Sequence, residues 1–185
     1  MLELPDHLRR ERLISASYRE QQTELHKNPD YGVASTHFAP LVSRICNDYK
    51  VQELLDYGAG KGRLAECLDV DHVVRVQQYD PAIPEFSMEA LPSEMVACID
   101  VLEHIEPELL DNVLDDLQRV TLSVGLFTVS TEEAMKTLSD GRNAHLIVEP
   151  ATWWLPQIMK RWDLHTFQRR DDGFMVLVRP YTLDT

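Results

Sequence analysis

The stretch Leu54-Leu55-Asp56-Tyr57-Gly58-Ala59-Gly60-Lys61-Gly62 constrains this chain more than any other. An apolar run ends in an acid, three glycines follow at alternate positions, and an amphipathic segment with Leu64, Cys67 and Leu68 opens at once. That order reads as strand, tight turn and helix. Glycine permits positive φ and lets a ligand approach the main chain without meeting a Cβ, while the free N–H groups of a following helix face that ligand. A second strand-like run, Val73 to Tyr79, closes on Asp80, 22 positions after Gly58. In doubly wound sheets an acid at this distance takes the hydroxyls of an adenosine ribose. A dinucleotide turn has the pattern G-x-G-x-x-G. Here its third glycine position holds Arg63 and a glycine comes one residue early, at Gly62, which favours a ligand with no pyrophosphate.

The rest of the chain punctuates itself around this unit. Residues 6–26 read as a helix with an apolar stripe through Leu8, Leu13, Ile14 and Tyr18, and with Arg9, Arg10 and Arg12 on a solvated face. Asn28-Pro29-Asp30-Tyr31-Gly32 breaks it. Ser35 or Thr36 is placed to cap a second helix that buries Phe38, Leu41, Val42, Ile45 and Tyr49. Met95 to Asp100 has the continuous apolar character of a strand buried on both faces. Glu106-Pro107-Glu108 opens a helix with a stripe through Leu109, Leu110, Val113, Leu114, Leu117 and Val120. Gly125 to Ser130 reads as the next strand, Ser139 to Asn143 as a polar turn, and Trp153 to Trp162 as a helix in which Pro156 is tolerated near the start. Asp172-Gly173, between the strand-like runs Leu164–Gln168 and Phe174–Val178, predicts an antiparallel hairpin.

Three features now carry a resemblance. Asp56 to Gly62 resembles the first motif of class I S-adenosylmethionine (SAM) dependent methyltransferases, and Asp80 resembles the acid of their second. Ile99-Asp100-Val101-Leu102-Glu103-His104-Ile105 is similar to the xVLEHI signature after their fourth strand, the most specific of the three. The likeness spans about residues 50–180 and is greatest to the small methyltransferases common in phages and bacteria. It implies an α/β, Rossmann-like sheet, mostly parallel with a C-terminal antiparallel hairpin. Only fourteen residues, Pro81 to Glu94, separate Asp80 from the next strand, so the family's third strand is expected to be short or missing. Met88, Glu89 and Ala90 offer an apolar wall for adenine in its place, or a plain connecting loop.

The resemblance also assigns roles. Asp56 and the backbone of Gly58, Ala59, Gly60 and Gly62 would flank the methionine part of SAM, Asp80 would take the ribose, and Asp100, Val101 and Leu102 would line the other side. Glu103 and His104 would stand at the pocket mouth as candidate general bases, with His145 from the loop after the fifth strand. Arg142 is either a partner for an acidic group on the acceptor or a solvated charge. In related enzymes a segment before the first motif folds over the pocket. Tyr18, Glu20, Leu25, His26, Pro29, Tyr31 and Gly32 have that look, against the reading of a plain packing helix. No metal is expected, since adjacent Asp100, Glu103 and His104 suit neither a helical nor a strand ligand face. The implied activity is methyl transfer from SAM to a small molecule. The alternative is a SAM-binding regulatory or interaction module that no longer transfers methyl groups, and a nicotinamide-dependent oxidoreductase is disfavoured by Arg63 and the terminal hairpin.

Composition adds bounds. The 185 residues are expected to form one domain, 1–185, with residues 1–50 as N-terminal helices. The net charge of −13 is concentrated between 51 and 120, which hold sixteen acids against four Lys/Arg, and this disfavours a nucleic-acid partner. Nothing resembles a signal peptide or a membrane span, so a soluble, cytoplasmic protein is expected. Cys46, Cys67 and Cys98 lack CxxC spacing and read as small core residues.

Overall fold

The computed structural model describes residues 10–28, 31, 32 and 34–181. Leu8, Arg9, Pro29 and Asp30, named above, lie outside the described residues. The strands are β1 (Glu53–Tyr57), β2 (Arg75–Tyr79), β3 (Ser93–Ile99), β4 (Thr121–Ser130), β5 (Trp162–Arg169) and β6 (Gly173–Pro180). They form one sheet in the order β2-β1-β3-β4-β6-β5. The β2-β1-β3-β4 part is parallel, and β6 runs antiparallel to both β4 and β5. The carboxyl ends of β1, β2, β3 and β4 therefore share one edge of the sheet.

Alternation sorts the core into two layers, because successive strand residues point to opposite faces. Leu54, Met95, Ala97, Ile99, Val124 and Leu126 pack under α2 (Ser35–Tyr49), against Ala39, Val42, Ile45 and Cys46. Leu55, Tyr57, Val96, Cys98, Phe127 and Val129 pack on the other face, under α4 (Leu110–Val120) and α5 (Ala151–Met159). Helix α4 turns Leu110, Val113, Leu114, Leu117 and Val120 inward as a single stripe, after a 3-10 turn at Pro107–Leu109. Between β2 and β3 the chain makes only the 3-10 turn Pro84–Phe86, so the third strand of the larger family pattern is missing among the described residues and β2 is the sheet edge.

Several elements depart from the sequence expectation. The first helix does not run through residue 26 unbroken: a turn ends at Ser15, whose hydroxyl caps α1 (Ala16–Leu25) by accepting the Tyr18 N–H at 3.2 Å. In α2 the cap position falls on Ala34 with no side-chain cap, and Tyr49 is exposed, with Arg179 over its ring and hydrogen-bonded to its hydroxyl. The segment after the glycines forms only the single turn α3 (Arg63–Glu66), so Cys67 is exposed rather than packed. Val73 is exposed ahead of β2, and Trp162 opens β5 instead of ending α5. Pro156 sits in the interior of α5, on its solvent-exposed side.

The hairpin forms as expected, but its glycine serves packing. Gly173 lacks a positive φ, and a Cβ there would lie 2.0 Å from the Val129 carbonyl oxygen on β4. Gly173→Ala is expected to destabilise the protein by about 1–3 kcal/mol through forced backbone displacement. Urea denaturation checks this, and an unchanged midpoint would show that β4 and β6 separate at no cost.

Candidate active site

The site begins with how the glycine turn is held. Gly58 and Ala59 donate their N–H groups to the Tyr79 carbonyl at 2.7 and 2.9 Å, and Gly60 donates to Asp80 Oδ2 at 2.9 Å. The turn after β1 is thus folded back on the end of β2. Gly58 has φ 80°, and a Cβ there would lie 2.4 Å from Val101 Cγ2, so only glycine admits both the conformation and the approach of the loop after β3. Asp80 accepts the Ala82 N–H on Oδ1 at 2.9 Å. Each of its oxygens thereby uses one lone pair and keeps another.

These residues line a cavity of about 510 Å³ at the carboxyl ends of β1, β2 and β3. That volume lies within the range of small-molecule sites. Gly58, Ala59, Gly60, Asp80, Asp100, Val101, His104 and His145 all contribute to the wall. Leu13, Ile14, Pro81, Ala82 and Ile105 supply its apolar surface. Met88, Glu89 and Ala90 lie elsewhere: Met88 is exposed, Ala90 is buried in the core, and its carbonyl accepts from Arg119 at 2.9 Å. None of the three lines the cavity, whose apolar surface includes Pro81, Ala82 and the N-terminal Leu13 and Ile14 instead.

The N-terminal segment closes the other side. Tyr18, Gln22, His26, Tyr31 and Gly32 all line the cavity. The Tyr18 hydroxyl donates to the His104 carbonyl at 2.6 Å and accepts from Gln22 Nε2 at 2.6 Å, while the Tyr31 hydroxyl donates to Gln22 Oε1 at 3.0 Å. The His26 ring lies 3.0 Å from where a Gly60 Cβ would stand and meets Tyr31 edge-on at 5.0 Å. Sequence reasoning missed the tethers that hold this wall. Ser15 donates its N–H and hydroxyl to the buried Glu106 carboxylate at 2.8 and 2.6 Å. Thr23 donates to the Ala82 carbonyl at 2.8 Å, and Lys61 donates to the Tyr31 carbonyl at 2.6 Å and to that of Asn28. The only signal for Lys61 was its place between two motif glycines.

Other expected site residues fall outside the wall. Gly62 packs under the Gln78 amide, which donates to its carbonyl at 2.8 Å. Leu102 is core. Arg142 is exposed, paired with Asp140 at 2.7 Å and 5.8 Å from the Tyr18 ring centroid. Glu103 is not at the mouth: it is fully buried, because the 3-10 turn Leu102–His104 points it inward to accept the Ser130 N–H on Oε1 at 2.8 Å. Its Oε2 has no hydrogen-bond partner among the described residues. Burial, with the Asp100 charge adding to it, pushes Glu103 up to about 8. Asp100 itself takes the left-handed φ of 50°, receives the Thr128 hydroxyl at 2.5 Å and pairs with Arg170 at 3.1 Å.

The two histidines behave alike. His104 Nδ1 meets the Ala144 carbonyl at 2.7 Å and His145 Nδ1 meets the Glu132 carbonyl at 2.6 Å. A carbonyl only accepts, so Nδ1 carries the proton in each ring and Nε2 is the basic nitrogen. The rings stand edge to face with centroids 4.7 Å apart. Burial, then the neighbouring His145, lower His104 to about 4.

No protein-family model matches the chain, and no curated protein matches it. Solved structures do. The 1,6-didemethyltoxoflavin-N1-methyltransferase of Burkholderia thailandensis, bound to 1,6-didemethyltoxoflavin and S-adenosylhomocysteine (SAH), is 18% identical over 98% of this chain and 92% of its own, with a TM-score of 0.60. DhpI in its SAH complex is 19% identical over 94% of this chain and 98% of its own, with a TM-score of 0.58. The chain has the class I methyltransferase fold. An O-methyltransferase family protein, also from B. thailandensis, superimposes on 91% of this chain and 60% of its own at 11% identity, with a TM-score of 0.62. At these identities the likeness is one of fold, and the methyltransferase fold is here realised with six strands.

Asp56 gives a pH prediction. It is buried at the end of β1 with Oδ2 unpartnered among the described residues, and burial, helped by the Asp80 charge, pushes it up to about 7. Its unfolded value is about 3.9. A raised acid favours the folded state below its unfolded pKa, and that contribution is lost as pH rises from about 4 to about 7. Asp56→Asn is therefore expected to gain stability relative to the parent across this window, by about 1.4 kcal/mol for each tenfold change in proton affinity. Urea denaturation at a series of pH values checks it, and parallel curves for the two proteins would contradict it.

Proposed function

We propose that the protein transfers a methyl group from SAM to a small-molecule acceptor, with the cavity under α1 holding both. The observation that carries this reading is Asp80: a carboxylate at the end of β2, locked by the Gly60 and Ala82 N–H groups, with spare lone pairs on a cavity wall. That geometry suits the two hydroxyl donors of a ribose. The glycine turn beside it presents main chain without side chains, which suits the methionine end of the donor. Pro81, Ala82 and Val101 form the apolar wall for adenine, in place of the missing third strand. The SAH bound in two proteins of similar fold supports the same donor.

SAM, when bound, supplies a methyl group on a cationic sulfur. The chain's own task is to place an acceptor about 3–3.5 Å from that carbon and to exclude water. The described N-terminal segment before α2 is the closing element in this reading: α1 and Tyr31 form the cavity's outer wall, tied to the loops after β2 and β3 and to the glycine turn through Thr23, Tyr18 and Lys61. His104 and His145 mark the acceptor end, each turning a basic Nε2 away from its own carbonyl partner. Glu103, buried behind them, acts on the acceptor only through its neighbours. Arg142, spent on Asp140, is reached only by an acceptor that extends past Tyr18. The small cavity and the acceptor bound in the toxoflavin enzyme's structure support a small molecule.

Calorimetry with SAM, SAH and NAD in parallel is expected to give binding of the first two and none of the third. Asp80→Ala should weaken SAM by about 1.5–3 kcal/mol, the range for hydrogen bonds to a charged group. Tight NAD binding without SAM binding, or an unchanged SAM affinity in the folded Asp80→Ala variant, would overturn the donor assignment. His145→Ala should keep SAM affinity and lower turnover by about 10² or more. Full turnover in that variant would remove His145 from the reaction.

A further inference from the structure

Adjacent residues on a helix or strand cannot aim at one point, which is why Glu103 and His104 gave no metal expectation in the sequence. The chain there is neither. The 3-10 turn Leu102–His104 and the loop carrying His145 bring one ligand atom each from Glu103, His104 and His145 within 4.8 Å of one another.

Three observations give this cluster the character of a metal centre. First, Glu103 is fully buried with one carboxylate oxygen satisfied by Ser130 and the other, Oε2, unpartnered among the described residues. A buried carboxylate left half-satisfied is costly unless a proton or a cation completes it, and a cation satisfies it in its ionised form. The nearby guanidinium does not: Arg170 is engaged by Asp100 at 3.1 Å and Asp172 at 3.0 Å. Second, both imidazoles hold Nδ1 against a main-chain carbonyl, at 2.7 and 2.6 Å. That is the arrangement by which a protein orients a ligating histidine and leaves Nε2 for the metal. Third, His104 and His145 line the cavity while Glu103 backs them, so a bound ion would be anchored from behind and open toward the cavity.

We propose that Glu103, His104 and His145 bind one divalent first-row transition-metal ion, of the Mn²⁺ or Zn²⁺ class. Two imidazole nitrogens and one carboxylate oxygen suit such ions, whereas Mg²⁺ and Ca²⁺ prefer all-oxygen sites. Metal–ligand bonds of about 2.0–2.2 Å draw ligand atoms to roughly 3–3.5 Å of one another. The cluster therefore contracts on binding, by side-chain rotation within a site already walled. Three protein ligands leave positions open for an exogenous group. On the methyl-transfer reading, on which this last step rests, the open positions would take an acceptor hydroxyl and lower its pKa: its proton leaves to solvent, the oxygen bonds the methyl carbon as the carbon–sulfur bond of SAM breaks, and SAH departs, so the acceptor class is an oxygen nucleophile and the imidazoles serve as ligands rather than as bases.

The test uses the full chain, stripped with a chelator and titrated calorimetrically with Mn²⁺, Zn²⁺ and Mg²⁺ in the absence of any methyl donor. One Mn²⁺ or Zn²⁺ per chain is expected, with Mg²⁺ at least about 10-fold weaker. His145→Ala and Glu103→Gln, checked for folding by circular dichroism, should each weaken binding by roughly 100-fold, and His72→Gln at an exposed surface pair should leave it unchanged. If Glu103→Gln does not fold, His145→Ala decides. No transition-metal binding, a preference for Mg²⁺, or binding that persists in the variants overturns the site. SAH titrated into the same metal-free protein separates the two readings. SAH binding without metal binding sinks this inference alone, whereas metal binding without SAH binding sinks the donor assignment and leaves the metal centre standing.

Discussion

The structure depends on one fastening: the turn after β1 is bound to the end of β2 by main-chain donors. Gly58 and Ala59 share the Tyr79 carbonyl, and Gly60 takes the Asp80 carboxylate. Buried N–H groups must find acceptors, and here they find them in the neighbouring strand's last residues. That choice fixes the Asp80 carboxylate on the cavity wall. It also demands glycine at 58, since the Val101 side chain occupies the place a Cβ would need. Parallel pairing of β1 with both β2 and β3 then brings Asp80, Gly58 and Asp100 to one edge without any long loop having to order itself.

The outer wall is held by a different physics. Helix α1 buries only Tyr18 and Gln22 along its ten residues, too little apolar surface to dock it by hydrophobic burial alone. Hydrogen bonds hold it, from Ser15 to Glu106, from Tyr18 to His104, from Thr23 to Ala82 and from Lys61 to the turn that follows it. Individually such bonds contribute about 0.5–3 kcal/mol, the larger values belonging to those with a charged partner. A wall of this kind closes firmly when all are made and opens locally at a fraction of the global stability. That is the property a cavity needs if a donor and an acceptor are to enter and water is to be kept out.

Much of this was legible in the sequence where local chemistry decides the outcome. The glycine spacing, the acid 22 residues on, the unbroken apolar run of β3 and the Asp-Gly hairpin each state their structure directly. The missing strand was legible too, because thirteen residues between β2 and β3 leave no room for a helix and a strand. What was not legible depends on which partner a side chain finds. Glu103 reads as a candidate base at the pocket mouth beside His104, but the 3-10 turn buries its carboxylate against the Ser130 N–H while His104 lines the cavity. Glu106 reads as a helix-opening acid and instead anchors Ser15, 91 positions away. Arg142 reads either as a partner for an acidic group on the acceptor or as a solvated charge, and is committed to Asp140 two residues before it. The amphipathic run through Cys67 reads as a helix and stops after one turn, as β2 then starts late and exposes Val73.

On the methyl-transfer reading, the cavity beneath α1 receives the methyl donor and α1 responds to it. Amide hydrogen exchange, followed by mass spectrometry with and without SAH, tests this most directly. Slowed exchange is expected at Gly58 to Gly60, at Asp80 and Ala82, at Val101, and across α1 and Tyr31, with the β5–β6 hairpin unchanged. Binding of SAH without added protection in those segments, or with protection confined to a different face of the sheet, would contradict it.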